Sequence, residues 1–114
     1  VTAACIMTPK SIYEEVGYMD EKFKVAFNDV DFCLKIREKN KLIIYTPYVQ
    51  FLHYESKSRG FEDTPEKQAR FKREIDRFHE KWQKFLKAGD PYYNINLRLD
   101  NDQYAIRADK VKYN

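Results

Sequence analysis

Five large apolar residues, Phe71, Ile75, Phe78, Trp82 and Phe85, recur at spacings of 4, 3, 4 and 3. An α-helix completes a turn every 3.6 residues, so this spacing gathers all five into one stripe. The stripe predicts a long amphipathic helix that opens at Thr64-Pro65, runs to about Lys87 and stops at Gly89-Asp90-Pro91. Between Pro65 and Lys87 the same segment carries eight Lys/Arg and four Asp/Glu. That charge reads either as a solvated outer face or as a basic surface for anionic lipid or phosphate. The stripe needs a core to pack on, and 43% hydrophobic with 16% aromatic residues supplies one.

The remaining elements are shorter. "VTAACIM" reads as a buried strand and "TPKSIYEEVG" as a short helix. In that helix Thr8 suits the cap, Pro9 the first helical position and Gly17 the C-terminal stop. From Val30 to Lys39 the residues Val30, Phe32, Cys33, Leu34 and Ile36 predict a second helix. Asn28 or Asp29 suits its cap, and Asn40 suits a left-handed turn at its end. "KLIIYTP" reads as a strand stopped by Pro47. "YVQFLHYE" alternates Val49, Phe51 and His53 against Tyr48, Gln50, Leu52 and Tyr54, the period of another strand. "SKSRGFED" is a polar loop, and the segment after Pro91 is an extended or irregular tail.

At 114 residues the chain suits one domain, over 1–114. It opens inside an apolar run, which reads as a piece of a longer protein. Cys5 and Cys33 both sit in apolar runs and read as buried free thiols, a pattern that fits a reducing, cytoplasmic compartment. No run approaches the roughly 20 apolar residues of a membrane span. The net charge of +3 is mild. It fits an anionic ligand or peripheral contact with a membrane, and the dispersed acids and missing recognition motif argue against nucleic acid.

Three groups of residues bear on chemistry. Asp29 and Asp31 precede the apolar ladder of the second helix. At a helix N-terminus negative charge is favoured, so capping alone accounts for them. A carboxylate there also suits a general base that takes a proton from a sugar hydroxyl. His53 ends a strand-like run, a place where histidine is ordinarily structural. The following "ESKSRG" adds donors and positive charge for a phosphate, and an imidazole beside it suits a metal. Asp100-Asn101-Asp102 is a D-x-D triplet in a tail-like segment and reads as a surface turn.

In order along the chain, four segments resemble the C-terminal half of a family 2 inverting glycosyltransferase of the GT-A fold. "AACIMTPKSIYEEVGYMDEKF" is similar to the family's strand, helix and "G-G-F-D-E-x-F" turn, with Tyr18 where Gly is frequent. "FNDVDFCLKIREKNKLIIYTP" resembles its "E-D-V-D-L-C-L-R" block, and "FLHYESKSRG" its "H-H-E-S-x-S-R-G" segment. "DPYYNINLRLDNDQYAI" resembles its "D-P-Y-Y-N-P-N-L-S" tail. The nearest likeness is to bacterial enzymes of O-antigen, capsule or other surface polysaccharide, rhamnosyltransferase-like members included.

The resemblance implies an α/β protein: a partial GT-A (nucleotide-diphospho-sugar transferase) fold, with short strands and one long C-terminal amphipathic helix. It implies Asp29 as the catalytic base and Asp31 as a second acid that orients the helix start, with Arg37 behind it. His53 falls on the metal ligand, while Ser56, Lys57, Arg59 and Gly60 fall on the loop that closes over the donor diphosphate. A divalent cation, Mn²⁺ or Mg²⁺, a nucleotide-diphosphate sugar and a saccharide acceptor are the implied cofactor and partners, at the inner face of a membrane. Asn28 departs from the family's usual Glu, and Tyr54 from a frequent second His. The family's nucleotide-binding half and its D-x-D have no counterpart here, so the piece is expected to be inactive alone. Strand edges left without neighbours suit homodimer contact. The competing reading is a non-catalytic interaction domain that keeps the fold.

Overall fold

The computed structural model describes residues 4–54, 64–100 and 104–107. Four helices follow one another: α1 (Lys10–Glu15), α2 (Asn28–Glu38), α3 (Pro65–Lys81) and α4 (Gln83–Ala88). The chain divides into two compact units, Val1–Lys81 and Trp82–Asn114. Among the described residues no helix is long and apolar enough to cross a membrane.

Both short helices of the first unit end in the same way. Gly17 takes φ +76°, its N–H bonds Glu14 O at 3.0 Å, and the Tyr18 N–H reaches back to Tyr13 O at 2.9 Å. Asn40 takes φ +56°, with Asn40 N–H to Arg37 O at 2.9 Å and Lys41 N–H to Ile36 O at 3.3 Å. Each is a left-handed closure that satisfies carbonyls the helix leaves open, as the sequence predicts for Gly17 and Asn40. The starts differ from expectation. Pro9 is the cap of α1, with ψ 139°, and Lys10 is the first helical residue. Thr64 does cap α3, accepting the Lys67 N–H on Oγ1 at 3.3 Å.

The core of the first unit has two parts. Val16, Phe32 and Ile36 form one, with Ile6, Ile12, Tyr13, Met19 and Ile43 packed around them. Tyr13 meets Phe32 edge-on at 5.4 Å. Phe32 is 1% exposed, a burial worth about 2 kcal/mol. The second part is aromatic. Phe27 stacks on Phe78 at 4.9 Å and on Phe71 at 6.0 Å, while Phe23 meets Phe78 at 6.2 Å. The apolar stripe of α3 is thus spent on the 23–27 segment.

Several strand expectations do not hold. Among the described residues the one pairing outside helices is an isolated antiparallel bridge, Leu97 to Ile106. Residues 41–54 carry no regular structure, and both faces of the alternating 48–54 run are exposed. A strand's backbone groups require a neighbouring ladder, and no described segment supplies one here. For the same reason Cys5 and Met7 of the predicted first strand are exposed, Met7 at 98%. Neither Cys5 nor Cys33 is in a disulfide; Cys5 is exposed where burial was expected, while Cys33 is half-buried, and burial pushes its thiol up. Val30, expected on the core side of α2, is 43% exposed.

The predicted single helix to Lys87 is two. α3 ends at Lys81, Trp82 leaves helical geometry at φ −107°, ψ 20°, and α4 follows to Ala88. Gly89, at φ +78°, ends α4 as expected. In the second unit Asp90 and Asn94 each build a tight turn. Asp90 Oδ1 accepts the Tyr92 N–H at 2.8 Å, and Asn94 Oδ1 accepts the Asn96 N–H at 2.9 Å.

Candidate functional site

The site begins with an unusual helix entry. Phe27, which precedes α2, holds a left-handed backbone at φ +64°. For a bulky residue that conformation costs energy and persists only where surrounding contacts impose it. Here the stacked rings of Phe71 and Phe78 impose it, together with hydrogen bonds from α3 to the turn just upstream. The buried Glu74 carboxylate accepts the N–H of Lys24 at 3.2 Å and of Ala26 at 2.7 Å. Arg77 donates to Lys22 O at 2.9 Å. Lys81 donates to Asp20 Oδ2 at 3.0 Å. Three side chains along α3 therefore grip residues 20–26 and fix where α2 starts.

That start carries Asn28, Asp29 and Asp31. No side chain caps α2 from outside, contrary to the expectation for Asn28 or Asp29. Both residues lie within the first turn. Asn28 Oδ1 accepts the Asp29 N–H at 2.7 Å, and Asp29 Oδ1 accepts the Val30 N–H at 2.8 Å. Two N–H groups that the helix leaves open are satisfied this way. Asp29 is half-buried.

Asp31 has a different environment. It is 0% exposed, with Oδ1 2.7 Å from Lys81 Nζ and Oδ2 3.6 Å from Lys35 Nζ. Lys35 also donates to the Tyr18 carbonyl. Asp31 thus ties α2 to the end of α3, which is an orienting position. Arg37, predicted to work with it, donates to Lys41 O at 3.5 Å at the other end of the helix. Lys81 joins two carboxylates. Burial would lower the Lys81 pKa, but Asp31 and Asp20 outweigh that and raise it. Burial would raise the Asp20 pKa, and the Lys22 N–H and Lys81 ammonium outweigh that and lower it.

Of the other residues that the resemblance assigns to the site, His53 lies among the described residues. His53 is exposed on the irregular 51–54 segment. No group of three or more His, Cys, Asp or Glu placed to hold a metal ion occurs among the described residues. Ser56, Lys57, Arg59 and Gly60 fall in 55–63, outside the described residues. Asp100 is exposed and ion-paired with Arg98, which holds its carboxyl below the usual range; Asp102 falls outside the described residues.

Sequence reasoning missed Glu74 and Lys81. A signal existed: both lie at helical spacing from Phe71 and Phe78, on the edge of the apolar stripe. An acid and a base at such positions are placed to be buried against something polar.

Comparison with known proteins adds a direction. The chain is 44% identical over 107 residues to "Uncharacterized protein y4gI" of Sinorhizobium fredii, covering 93% of this chain and 12% of that protein. It is 29% identical over 114 residues to "O-antigen biosynthesis protein RfbC" of Myxococcus xanthus, covering 94% of this chain and 8% of that protein. Over 50 residues it is 30% identical to "Low-salt glycan biosynthesis hexosyltransferase Agl10" of Haloferax volcanii, 44% of this chain and 16% of that protein. The chain thus spans less than a fifth of the length of each of these curated relatives. No protein-family model and no solved structure matches it. Two of these relatives bear names that tie them to glycan biosynthesis.

Proposed function

We propose that this chain is the acceptor-side part of a glycosyltransferase that acts in glycan biosynthesis, with Asp29 as its general base. Similarity to proteins named for O-antigen biosynthesis and hexosyl transfer supports the glycan role. One observation carries the assignment of the base. Of the two acids at the start of α2, Asp31 is fully buried in ion pairs, while Asp29 is half-buried in the first turn of a helix whose entry is clamped. A base must reach its proton, and a buried, ion-paired carboxylate does not.

In this reading the Asp29 carboxylate takes the proton of an acceptor hydroxyl as that oxygen attacks the anomeric carbon. The bond to the nucleotide diphosphate breaks and the configuration at that carbon inverts. Asp31, Lys81 and Glu74 hold the helix start in place. The 41–54 run, largely apolar and outside any strand ladder among the described residues, takes strand form against the sheet of a longer GT-A protein. A divalent cation, Mn²⁺ or Mg²⁺, draws its ligands chiefly from outside the described residues, and no step above is routed through it.

The test is sugar transfer by the complete polypeptide that carries this segment, screened with nucleotide sugars. Asp29→Asn is expected to abolish transfer while binding of the donor persists. Transfer at the normal rate by Asp29→Asn overturns the assignment.

A further inference from the structure

A second feature lies on the other side of the α3 clamp. Arg70, Arg73 and Arg77, at positions i, i+3 and i+7, share one face of α3. With Lys67 they form one wall of a groove of about 360 Å³, and Lys22 and Lys24 from the gripped turn form the other. Six basic side chains therefore converge on one concavity, with Glu66 and Glu74 as the acids in its lining. Glu66 and Glu74 offset two of the six positive charges, which leaves the lining net positive. Like charges at i, i+3 and i, i+4 repel, and an arrangement that keeps them together is compensated when an anion sits between them.

We propose that this groove binds a phosphate- or diphosphate-bearing anion, with Lys24 and Arg73 reaching it from opposite walls and Arg77 held ready by its bond to the Lys22 carbonyl. Every lining residue carries a charge, and the excess is positive, which favours an anion. The groove is short and bounded at one end by Glu66, which favours a compact headgroup over a polynucleotide track. Arginine forks and lysine point charges are the two means by which proteins hold phosphate oxygens. The anion has two sources of the same chemistry, a free diphosphate or a lipid headgroup. The groove belongs to α3 and the 20–26 turn alone, so it stands or falls independently of the role of Asp29.

The test titrates the full chain with inorganic pyrophosphate by calorimetry, and with phosphatidylcholine vesicles with and without phosphatidylglycerol by flotation. Lys24→Gln/Arg73→Gln removes one cation from each wall without touching the side-chain bonds from Glu74 and Arg77 that hold the turn, and circular dichroism confirms its fold. Lys84→Gln/Lys87→Gln, outside the groove, removes the same net charge. The groove variant is expected to weaken pyrophosphate binding by about tenfold or more, the control by far less. Loss confined to anionic vesicles supports the groove with a lipid headgroup as its source. Equal losses in both variants, absence of binding to either probe, or salt-steep RNA binding that pyrophosphate does not compete overturns the proposal.

Discussion

The Glu74 carboxylate accepts the Ala26 N–H at 2.7 Å across 48 residues of sequence. With the Lys24 bond, it holds the turn that sets the left-handed Phe27 and hence the first turn of α2. Glu74→Ala leaves the Lys24 and Ala26 N–H groups without their acceptor. Thermal or urea unfolding is expected to show a loss of about 2–3 kcal/mol. A change below a few tenths would remove Glu74 from this role.

Lys81 is the cation for both Asp31 and Asp20. Lys81→Met removes the 2.7 Å ion pair of the fully buried Asp31, while Lys35 stays at 3.6 Å. Removing one partner of a buried pair is costly, and a loss of about 3 kcal/mol is expected. Adding Asp31→Asn to Lys81→Met is expected to recover part of it, because the uncompensated charge is gone. A double variant less stable than the sum of the two single ones contradicts this account.

The same cluster sets a pH dependence. The Asp20 pKa is lowered from 3.8, so its contribution is present above 3.8 and is lost as pH falls through the folded value below it. The Lys81 pKa is raised from 10.5, so its contribution is present below 10.5 and is lost as pH rises through the folded value above it. The stability gap between wild type and Lys81→Met is expected to be level across neutral pH and to narrow at both extremes. Melting curves across the pH range check it, and a gap that widens in acid would refute the pairing.

Asn40 closes α2 at φ +56°. Glycine populates that region without a Cβ penalty, so Asn40→Gly is expected to stabilise by about 0.5 kcal/mol. Asn40→Val is expected to destabilise by about 1–2 kcal/mol, since a β-branched residue resists left-handed geometry. Urea midpoints of the two variants should move in opposite directions.

In the proposed reading the donor-binding half belongs to the longer protein, so the 114-residue chain alone is expected to transfer no sugar from any nucleotide donor. In the complete polypeptide, loss of a general base costs typically about a hundredfold or more in rate. Asp31→Asn in the same background should lower stability together with rate. Asp29→Asn should lower rate while leaving the melting temperature nearly unchanged, and that split separates a catalytic acid from a positioning one.

Local signals in the sequence were enough for where the helices fall and for several of their ends, but not for the break at Trp82. Gly17, Asn40 and Gly89 mark closures that depend on one residue's backbone freedom, and Thr64-Pro65 marks a start that depends on one hydroxyl and one fixed φ. The acids before α2 were visible as well. Tertiary structure decided which acid is buried and which is accessible, because burial depends on what packs from far along the chain. Lys81 lies 50 residues beyond Asp31, and Glu74 lies 48 beyond Ala26. The strand expectations for the described residues 4–7 and 41–54 went unmet for the converse reason. Alternating apolar residues state a preference for a pleated surface, but a strand forms only where a neighbour offers its own backbone, and the neighbour's position is not written in the strand.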